Sequence, residues 1–314
     1  MIYRRLGRTN LSVSLLSLGT GGARRLGQAM GMTLLDQQRL VHHAMDLGVN
    51  LIDTAEQYGE SESILGRCLR GIPRNDYFLS TKWSPRVGKE FVPNPVALQA
   101  SVERSLQRLG TDYIDVMLFH GPRVAEYDAV VDQLYPVLNA LRNAGKVRYV
   151  GLSTPFVHDP AQEVARIALT EHPAMWDVVM LKYGILNQYA ANEILTLAAR
   201  HDVGVMNMAA VRVKLPDAML LEALIKKWKD DKLIARNALP DTDPLGWLIH
   251  DDVGSVIEAG YRFAAEPSVI ATVLTGTSSI EHLNANARCL ETPKLVSAHS
   301  SRLKALFGGI VEYA

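Results

Sequence analysis

Cysteine is scarce in this sequence, with Cys68 and Cys289 the only two among 314 residues. Two thiols are too few for a disulfide framework or a thiolate metal site. Net charge is absent too, because 33 Lys and Arg balance 33 Asp and Glu, which leaves no electrostatic footprint for nucleic acid or an anionic membrane. No apolar run approaches the roughly 18 residues that cross a bilayer, and no apolar segment follows the basic N-terminus to make a signal peptide. We therefore expect a cytoplasmic protein whose partner is a small molecule, with no nucleic acid, membrane or metal; the oligomeric state stays open.

Apolar residues are abundant, at 48% of the chain, and occur as short runs between helical patterns. Most of these runs are continuous, which is typical of parallel strands covered on both faces. Strands are predicted at 15–19, 49–53, 77–82, 113–119, 147–152, 176–181, 203–206 and 269–274. Helices are predicted at 36–47, 61–69, 95–109, 128–144, 160–170, 190–201, about 246–265 and 280–290.

Eight strands each followed by a helix, in about 300 residues, predict an α/β fold of the (β/α)8 TIM-barrel type. A doubly wound open sheet is the competitor, but Gly19-Thr-Gly21-Gly22 is only a weak version of its glycine-rich turn, since no helix pattern follows promptly. We expect one domain over residues 1–314. Residues 3–14 predict an N-terminal β-hairpin, and residues 212–245 predict a long loop after strand seven, solvated or functional.

Four chemically complementary side chains fall at the predicted strand ends. Asp53 ends the second strand, with Tyr58 in the loop after it; Lys82 ends the third and His120 the fourth. A barrel brings these ends to one mouth. There, an ammonium beside the phenol would make it a stronger acid, the carboxylate would hold the ammonium, and the imidazole could donate a hydrogen bond to a carbonyl. Asp53 and Lys82 alone fit a plain ion pair, but the four together favour a proton donor for a carbonyl. Reduction of that carbonyl also requires a hydride for the carbonyl carbon, which implies a nicotinamide cofactor.

The run Leu51-Ile-Asp53-Thr-Ala-Glu-Gln-Tyr58-Gly-Glu-Ser-Glu-Ser-Ile-Leu-Gly66 resembles the aldo-keto reductase signature. Ser80-Thr-Lys82, Phe119-His120 and Val150-Gly-Leu-Ser153 follow in that family's order and spacing. The resemblance implies a barrel that reversibly reduces aldehydes and ketones with NAD(P)H. It also implies that Tyr58 is the general acid/base, that Asp53 and Lys82 tune it, and that His120 orients the carbonyl.

The resemblance further implies a cofactor site. Val273-Leu-Thr-Gly276-Thr-Ser278-Ser-Ile-Glu-His282 resembles the family's last strand-to-helix turn, where a helix N-terminus can accept a phosphate. The candidate cofactor contacts are Gly19, Thr20, Gly21, Ser153, Thr154, Met180, Met208, Ala209, Val211, Arg212, Gly276, Ser278, His282 and Asn286. Thr154, Met180 and Met208 depart from the family's usual Asn, Gln and Tyr. Family frequency favours NADP(H), while NAD(H) stays open because Thr277 and Ser278 replace the usual basic residues.

Evidence on the substrate is thinner. Trp83 and Tyr127 are candidate contacts for a small carbonyl compound or a sugar. The Thr-Gly-Thr-Ser turn and the insertion after strand seven resemble the bacterial and plant sugar-dehydrogenase branch, which includes aldose and L-galactose dehydrogenases. The alternative function is a redox-sensing regulatory subunit that binds the nucleotide with little turnover.

Overall fold

Eight parallel strands form a closed barrel in the computed structural model, which describes residues 1–250 and 252–312. In chain order the strands of these residues are β1 (Tyr3–Arg5), β2 (Ser12–Ser14), β3 (Leu16–Gly19), β4 (Leu51–Asp53), β5 (Phe78–Trp83), β6 (Arg86–Val87), β7 (Glu90–Phe91), β8 (Ile114–His120), β9 (Val147–Ser153), β10 (Val178–Lys182), β11 (Gly204–Met208) and β12 (Ile270–Thr275). The barrel runs β3, β4, β5, β8, β9, β10, β11, β12, and β12 pairs with β3. The predicted (β/α)8 barrel is confirmed, with one strand from each predicted run.

Helices surround the barrel. Within the described residues they are α1 (Leu34–Asp46), α2 (Ser61–Cys68), α3 (Pro95–Leu109), α4 (Tyr127–Ala129), α5 (Tyr135–Asn143), α6 (Glu163–Glu171), α7 (Ile194–Arg200), α8 (Ala218–Asp230), α9 (Val256–Ala265), α10 (Ile280–Cys289) and α11 (Ser297–Phe307). A π-helical segment, Val130–Leu134, joins α4 to α5, so the helix predicted at 128–144 is interrupted. None of the helices described combines the length and the apolar character that crossing a membrane requires.

Local sequence signals explain where helices begin and end, as α3 shows. The side chain of Asn94 accepts a hydrogen bond from the Ala97 amide at 3.0 Å, and Pro95 occupies the first turn, where no intrahelical donor is needed. Gly110 ends the helix with φ of 66°, a left-handed conformation that glycine adopts without steric cost. Asn94 and Gly110 thus fix the two ends of α3, and Gly110 fixes where the loop leading into β8 begins.

Barrel side chains alternate between two packed layers. Val116, Leu118, Val178, Met180 and Met206 belong to a cluster that fills the barrel interior. The residues between them on the same strands pack outward with the helices in a larger cluster. Because strand side chains alternate with a period of two, this division decides which residues at the strand ends face the mouth.

The N-terminal hairpin closes one end of the barrel. β1 and β2 pair antiparallel, which confirms the predicted hairpin. Leu6, Leu11 and Val13 are buried in the interior cluster with the barrel strands. The fit is close: a Cβ added at Gly204, the first residue of β11, would lie 2.7 Å from Leu6 Cγ. The hairpin therefore plugs the end opposite the carboxyl ends of the strands.

The long loop predicted at 212–245 is in large part a helix, α8. Leu221, Leu224, Ile225 and Trp228 are buried at helical spacing, so this segment packs a continuous apolar face. Trp228 lies against Phe307 of α11 with ring centres 5.1 Å apart. The segment is therefore anchored to the body of the protein by a helix that the sequence did not predict, α11.

Candidate active site

Three of the four predicted catalytic residues end barrel strands and face the mouth. Asp53 and His120 are the last residues of β4 and β8, and Lys82 is the penultimate residue of β5. Leu51 and Leu118, two positions earlier on β4 and β8, point into the interior cluster. Period-two alternation therefore turns the side chains at 53 and 120 inward, above that cluster. The structure brings the three groups to one end of the barrel.

Lys82 and Asp53 form a buried ion pair. Nζ of Lys82 donates to both carboxylate oxygens of Asp53, at 2.7 and 2.6 Å, and to the carbonyl of Thr54 at 2.8 Å. The two side chains are only 1% and 3% exposed. Burial opposes the ammonium charge, but Asp53 and the Tyr58 phenol outweigh it and raise the pKa of Lys82. The lysine is therefore a fixed positive charge.

Tyr58 packs against that ammonium. It lies in the turn after β4, where its amide donates to the Ala55 carbonyl at 3.0 Å. Nζ of Lys82 is 5.0 Å from the centre of the Tyr58 ring. On the other side, a Cβ added at Gly21 would lie 2.6 Å from Cε2 and Cζ of the ring and 3.0 Å from its hydroxyl. Only glycine at position 21 leaves the phenol this position.

His120 is a neutral imidazole beside the phenol. The Tyr58 and His120 rings meet edge to face, with centres 5.6 Å apart. Burial, reinforced by the charges of Lys82 and Arg86, lowers the pKa of His120 to about 3. Within the described residues, its buried Nδ1 has no hydrogen-bond partner. A neutral ring can donate one N–H to an incoming oxygen, which suits a polarised carbonyl.

Arg86 is a site residue that sequence reasoning missed. Its Nη1 donates to the Gly121 carbonyl at 2.9 Å, directly after His120, and its Nη2 pairs with Glu126. Glu126 also accepts the Arg123 amide at 2.7 Å, so the loop after β8 is held at two points. The available signal was a basic residue four positions after Lys82, in a loop at the same barrel end.

A second region lies beside the last barrel strand. Gly276 follows β12, and a Cβ there would be 3.7 Å from the Gly19 carbonyl oxygen and 3.8 Å from that of Gly21. Ser279 begins α10 by accepting the His282 amide at 3.2 Å. Through Gly21, this turn contacts the loop that packs on the Tyr58 ring.

A cavity of about 690 Å³ opens along this turn. Four predicted cofactor residues line it: Val211, Gly276, His282 and Asn286. Three arginines line it as well, Arg24, Arg262 and Arg288. Nη1 of Arg24 donates to the predicted Ser278 at 3.2 Å. Arg24 comes from the loop after β3, so no spacing within the turn itself could reveal it.

The other predicted cofactor residues occupy three kinds of position. Ser153 borders the mouth with Met208, its hydroxyl 3.8 Å from the thioether sulfur. Thr154 instead donates its hydroxyl to Gln162 at 2.9 Å, and Met180 is buried in the barrel interior. The remaining candidates lie at the same end of the barrel: Gly19 ends β3, Thr20 follows it, and Ala209 and Arg212 lie in the loop after β11.

The two predicted substrate contacts, Trp83 and Tyr127, have buried side chains. Tyr127 is 1% exposed, and its hydroxyl accepts the Trp176 indole N–H at 3.0 Å and lies 3.2 Å from His172 Nδ1. Trp83 is buried in the outer cluster, because it alternates with the inward-facing Lys82. Both residues belong to the packing between barrel and helices.

Residues 17–307 match the sequence model of the aldo/keto reductase family. The chain belongs to that family. The fold agrees: the holo form of the aldo-keto reductase AKR11C1 of Bacillus halodurans superposes with a TM-score of 0.74 at 26% identity, over 100% of this chain and 97% of that one. The family predicted from the four motifs is confirmed.

Two curated relatives indicate the range within this aldo-keto reductase family. The L-galactose dehydrogenase of Arabidopsis thaliana is 34% identical over 48% of this chain and 47% of its own length. The NADH-specific methylglyoxal reductase of Escherichia coli is 32% identical over 61% of this chain and 62% of its own length. The chain thus matches about half to three fifths of these proteins, and a sugar dehydrogenase is among its relatives.

Proposed function

We propose that this aldo-keto reductase interconverts a carbonyl and an alcohol with a nicotinamide dinucleotide, using Tyr58 as the general acid/base. The observation that carries this is the position of the Tyr58 ring against the buried Lys82 ammonium. Asp53 fixes that ammonium with two hydrogen bonds. The ammonium stabilises the negative charge that forms on the phenol oxygen when its proton is transferred.

The chain's own groups divide the work on the carbonyl oxygen. His120, kept neutral, donates a hydrogen bond that orients the oxygen and polarises the C=O bond. Tyr58 transfers its proton to that oxygen during reduction and takes it back during oxidation. Lys82 holds the negative charge left on the phenol, and Arg86 holds the loop that carries His120. A bound nicotinamide supplies the hydride that side chains cannot provide.

The cavity beside β12 fits the phosphate-bearing part of the dinucleotide. Gly276 allows close backbone approach, and His282 and Asn286 on α10 line the same space. The guanidinium groups of Arg24, Arg262 and Arg288 suit phosphate oxygens, since they offer paired N–H donors. Arg262 is already paired with Glu258 at 2.6 Å. Arg24 and Arg288 are left for a further phosphate, which supports a preference for NADP(H) over NAD(H).

The names of the relatives support a class of substrate for this protein and not a particular compound. One is named for methylglyoxal, a small aldehyde, and another for L-galactose, a sugar. Both are small polar carbonyl compounds or their alcohols, which supports the same class here. Location in the cytoplasm stays a prediction, and no observation in the site favours the regulatory alternative.

The test is a titration of the purified protein with NADP(H) and NAD(H), followed by cofactor oxidation and reduction assays. The carbonyl panel contains methylglyoxal and other small aldehydes, and the alcohol panel contains aldoses. We expect turnover with at least one substrate and tighter binding of NADP(H). Tight nucleotide binding without turnover on any substrate would instead support the regulatory alternative.

A further inference from the structure

Lys182 is a second lysine at the mouth that the proposed mechanism does not use. It is the last residue of β10 and is 4% exposed. Val178 and Met180, at alternate positions of the same strand, belong to the interior cluster, so the side chain at 182 faces inward. β10 lies four strands from β4 around the closed barrel, on the side opposite Asp53. Lys182 pairs in register with Met208.

The ammonium of Lys182 has no polar partner. Within the described residues, no hydrogen bond or ion pair involves its Nζ, which lies 4.8 Å from the centre of the Phe156 ring. Its backbone, by contrast, is held tightly. Gln162 accepts the Lys182 amide at 2.7 Å and donates to the Lys182 carbonyl at 2.8 Å. These two bonds fix the backbone from which the Lys182 side chain extends.

Three charged groups act on Lys182: Glu312, which has the strongest effect of the three, and the cations Lys214 and Arg212. Burial, together with Lys214 and Arg212, lowers the pKa of Lys182 to about 8, while Glu312 acts in the opposite direction. Glu312 is itself paired with Lys214. No contact among the described residues neutralises this ammonium, and its Nζ is not fully enclosed, so a ligand at the mouth can reach it. A negatively charged ligand would supply the missing partner.

We propose that Lys182 binds an anionic group, a phosphate or a carboxylate, of a ligand that enters the mouth of the barrel. This inference rests on the proposed function, because it assumes that cofactor and carbonyl compound bind at this end. The anion has two sources: the diphosphate of the dinucleotide, or a carboxylate or phosphate on the carbonyl substrate. The loop of Arg212 and Lys214 lies beside the lysine and adds positive charge, so the region as a whole suits an anion.

The test compares the variants Lys182→Met and Lys182→Arg with the unsubstituted protein. Lys146→Met is the matched control, because Lys146 precedes β9 at the opposite end of the barrel and pairs with Glu103. One arm measures the Kd of NADPH and NADH by protein fluorescence, which needs no turnover. The other measures KM for succinic semialdehyde against butanal, two aldehydes of equal chain length that differ in the carboxylate.

A charged hydrogen bond predicts a loss of roughly 10- to 100-fold in one arm for Lys182→Met, with partial recovery in Lys182→Arg. Weaker binding of both nucleotides identifies the diphosphate. A higher KM for succinic semialdehyde alone identifies a substrate anion. Unchanged values in both arms, relative to Lys146→Met, would overturn the proposal.

A pH series sharpens the result. The free ammonium is lost as pH rises through about 8, so binding of the anionic ligand should weaken about tenfold between pH 7 and pH 9. Lys182→Arg keeps its charge and should flatten this dependence. If no substrate is turned over by any variant, the proposed function fails while the Kd arm still decides whether Lys182 binds the diphosphate.

Discussion

Lys82 and Lys182 face the same mouth from opposite sides of the barrel, yet their surroundings differ completely. Lys82 has three oxygen acceptors within 2.8 Å. Lys182 has none among the described residues and packs on an aromatic ring. The pKa of the first is raised and that of the second is lowered. Two buried lysines therefore differ in their partners: the ammonium of Lys82 is neutralised by Asp53, whereas that of Lys182 is proposed to bind an anionic ligand.

The largest effect should come from removing the proposed proton donor beside Lys82. Tyr58→Phe keeps the ring and deletes the hydroxyl, so we expect turnover to fall by roughly 10²- to 10⁴-fold. The Kd of the nucleotide should change less than twofold, because Tyr58 does not line the cavity assigned to the phosphate-bearing part of the cofactor. Steady-state kinetics and fluorescence titration measure the two quantities. Near-normal turnover in Tyr58→Phe would refute the role of this residue.

Breaking the ion pair should affect both activity and stability. Lys82→Met leaves the Asp53 carboxylate buried without a partner, which should lower the free energy of unfolding by about 3–5 kcal/mol. Urea denaturation measures this. The double variant Lys82→Met/Asp53→Asn should regain much of the stability but little of the activity. Recovery of both would mean that the pair only supports the fold.

Crowding the phenol tests its position. Gly21→Ala places a Cβ 2.6 Å from the Tyr58 ring, so the ring must move and kcat should fall by about 10- to 100-fold. The control is Gly254→Ala, whose Cβ would have an ordinary contact of 3.6 Å with Glu258. Equal activity of the two variants would show that the ring tolerates displacement.

The smallest effect concerns the pH profile. Because burial lowers the pKa of His120 to about 3, the imidazole gains a proton only near that pH and should produce no acid limb in kcat/KM between pH 5 and pH 8. Arg86→Met removes one cation that disfavours protonation, so any acid limb should move to higher pH. A wild-type limb near pH 6.5 that is insensitive to Arg86→Met would contradict this assignment.

The sequence predicted the barrel because its strands are continuous apolar runs, and it predicted Asp53, Lys82 and His120 because strand ends meet at one mouth. The sequence could not predict contacts between loops that lie far apart along the chain. Arg24 reaches Ser278 across 254 positions, and Arg86 holds the loop after β8. Tyr127 follows the end of β8, as a substrate contact would. Its hydroxyl, however, accepts the indole N–H of Trp176, 49 positions later, and its side chain is buried.

The plug formed by Leu6, Leu11 and Val13, together with the side chains that fill the barrel interior, closes the end of the barrel opposite the mouth. Two ligands that must meet at the mouth therefore arrive and leave by the same side. Whichever sits deeper has to enter first and leave last, so this geometry by itself imposes a sequence on binding and release.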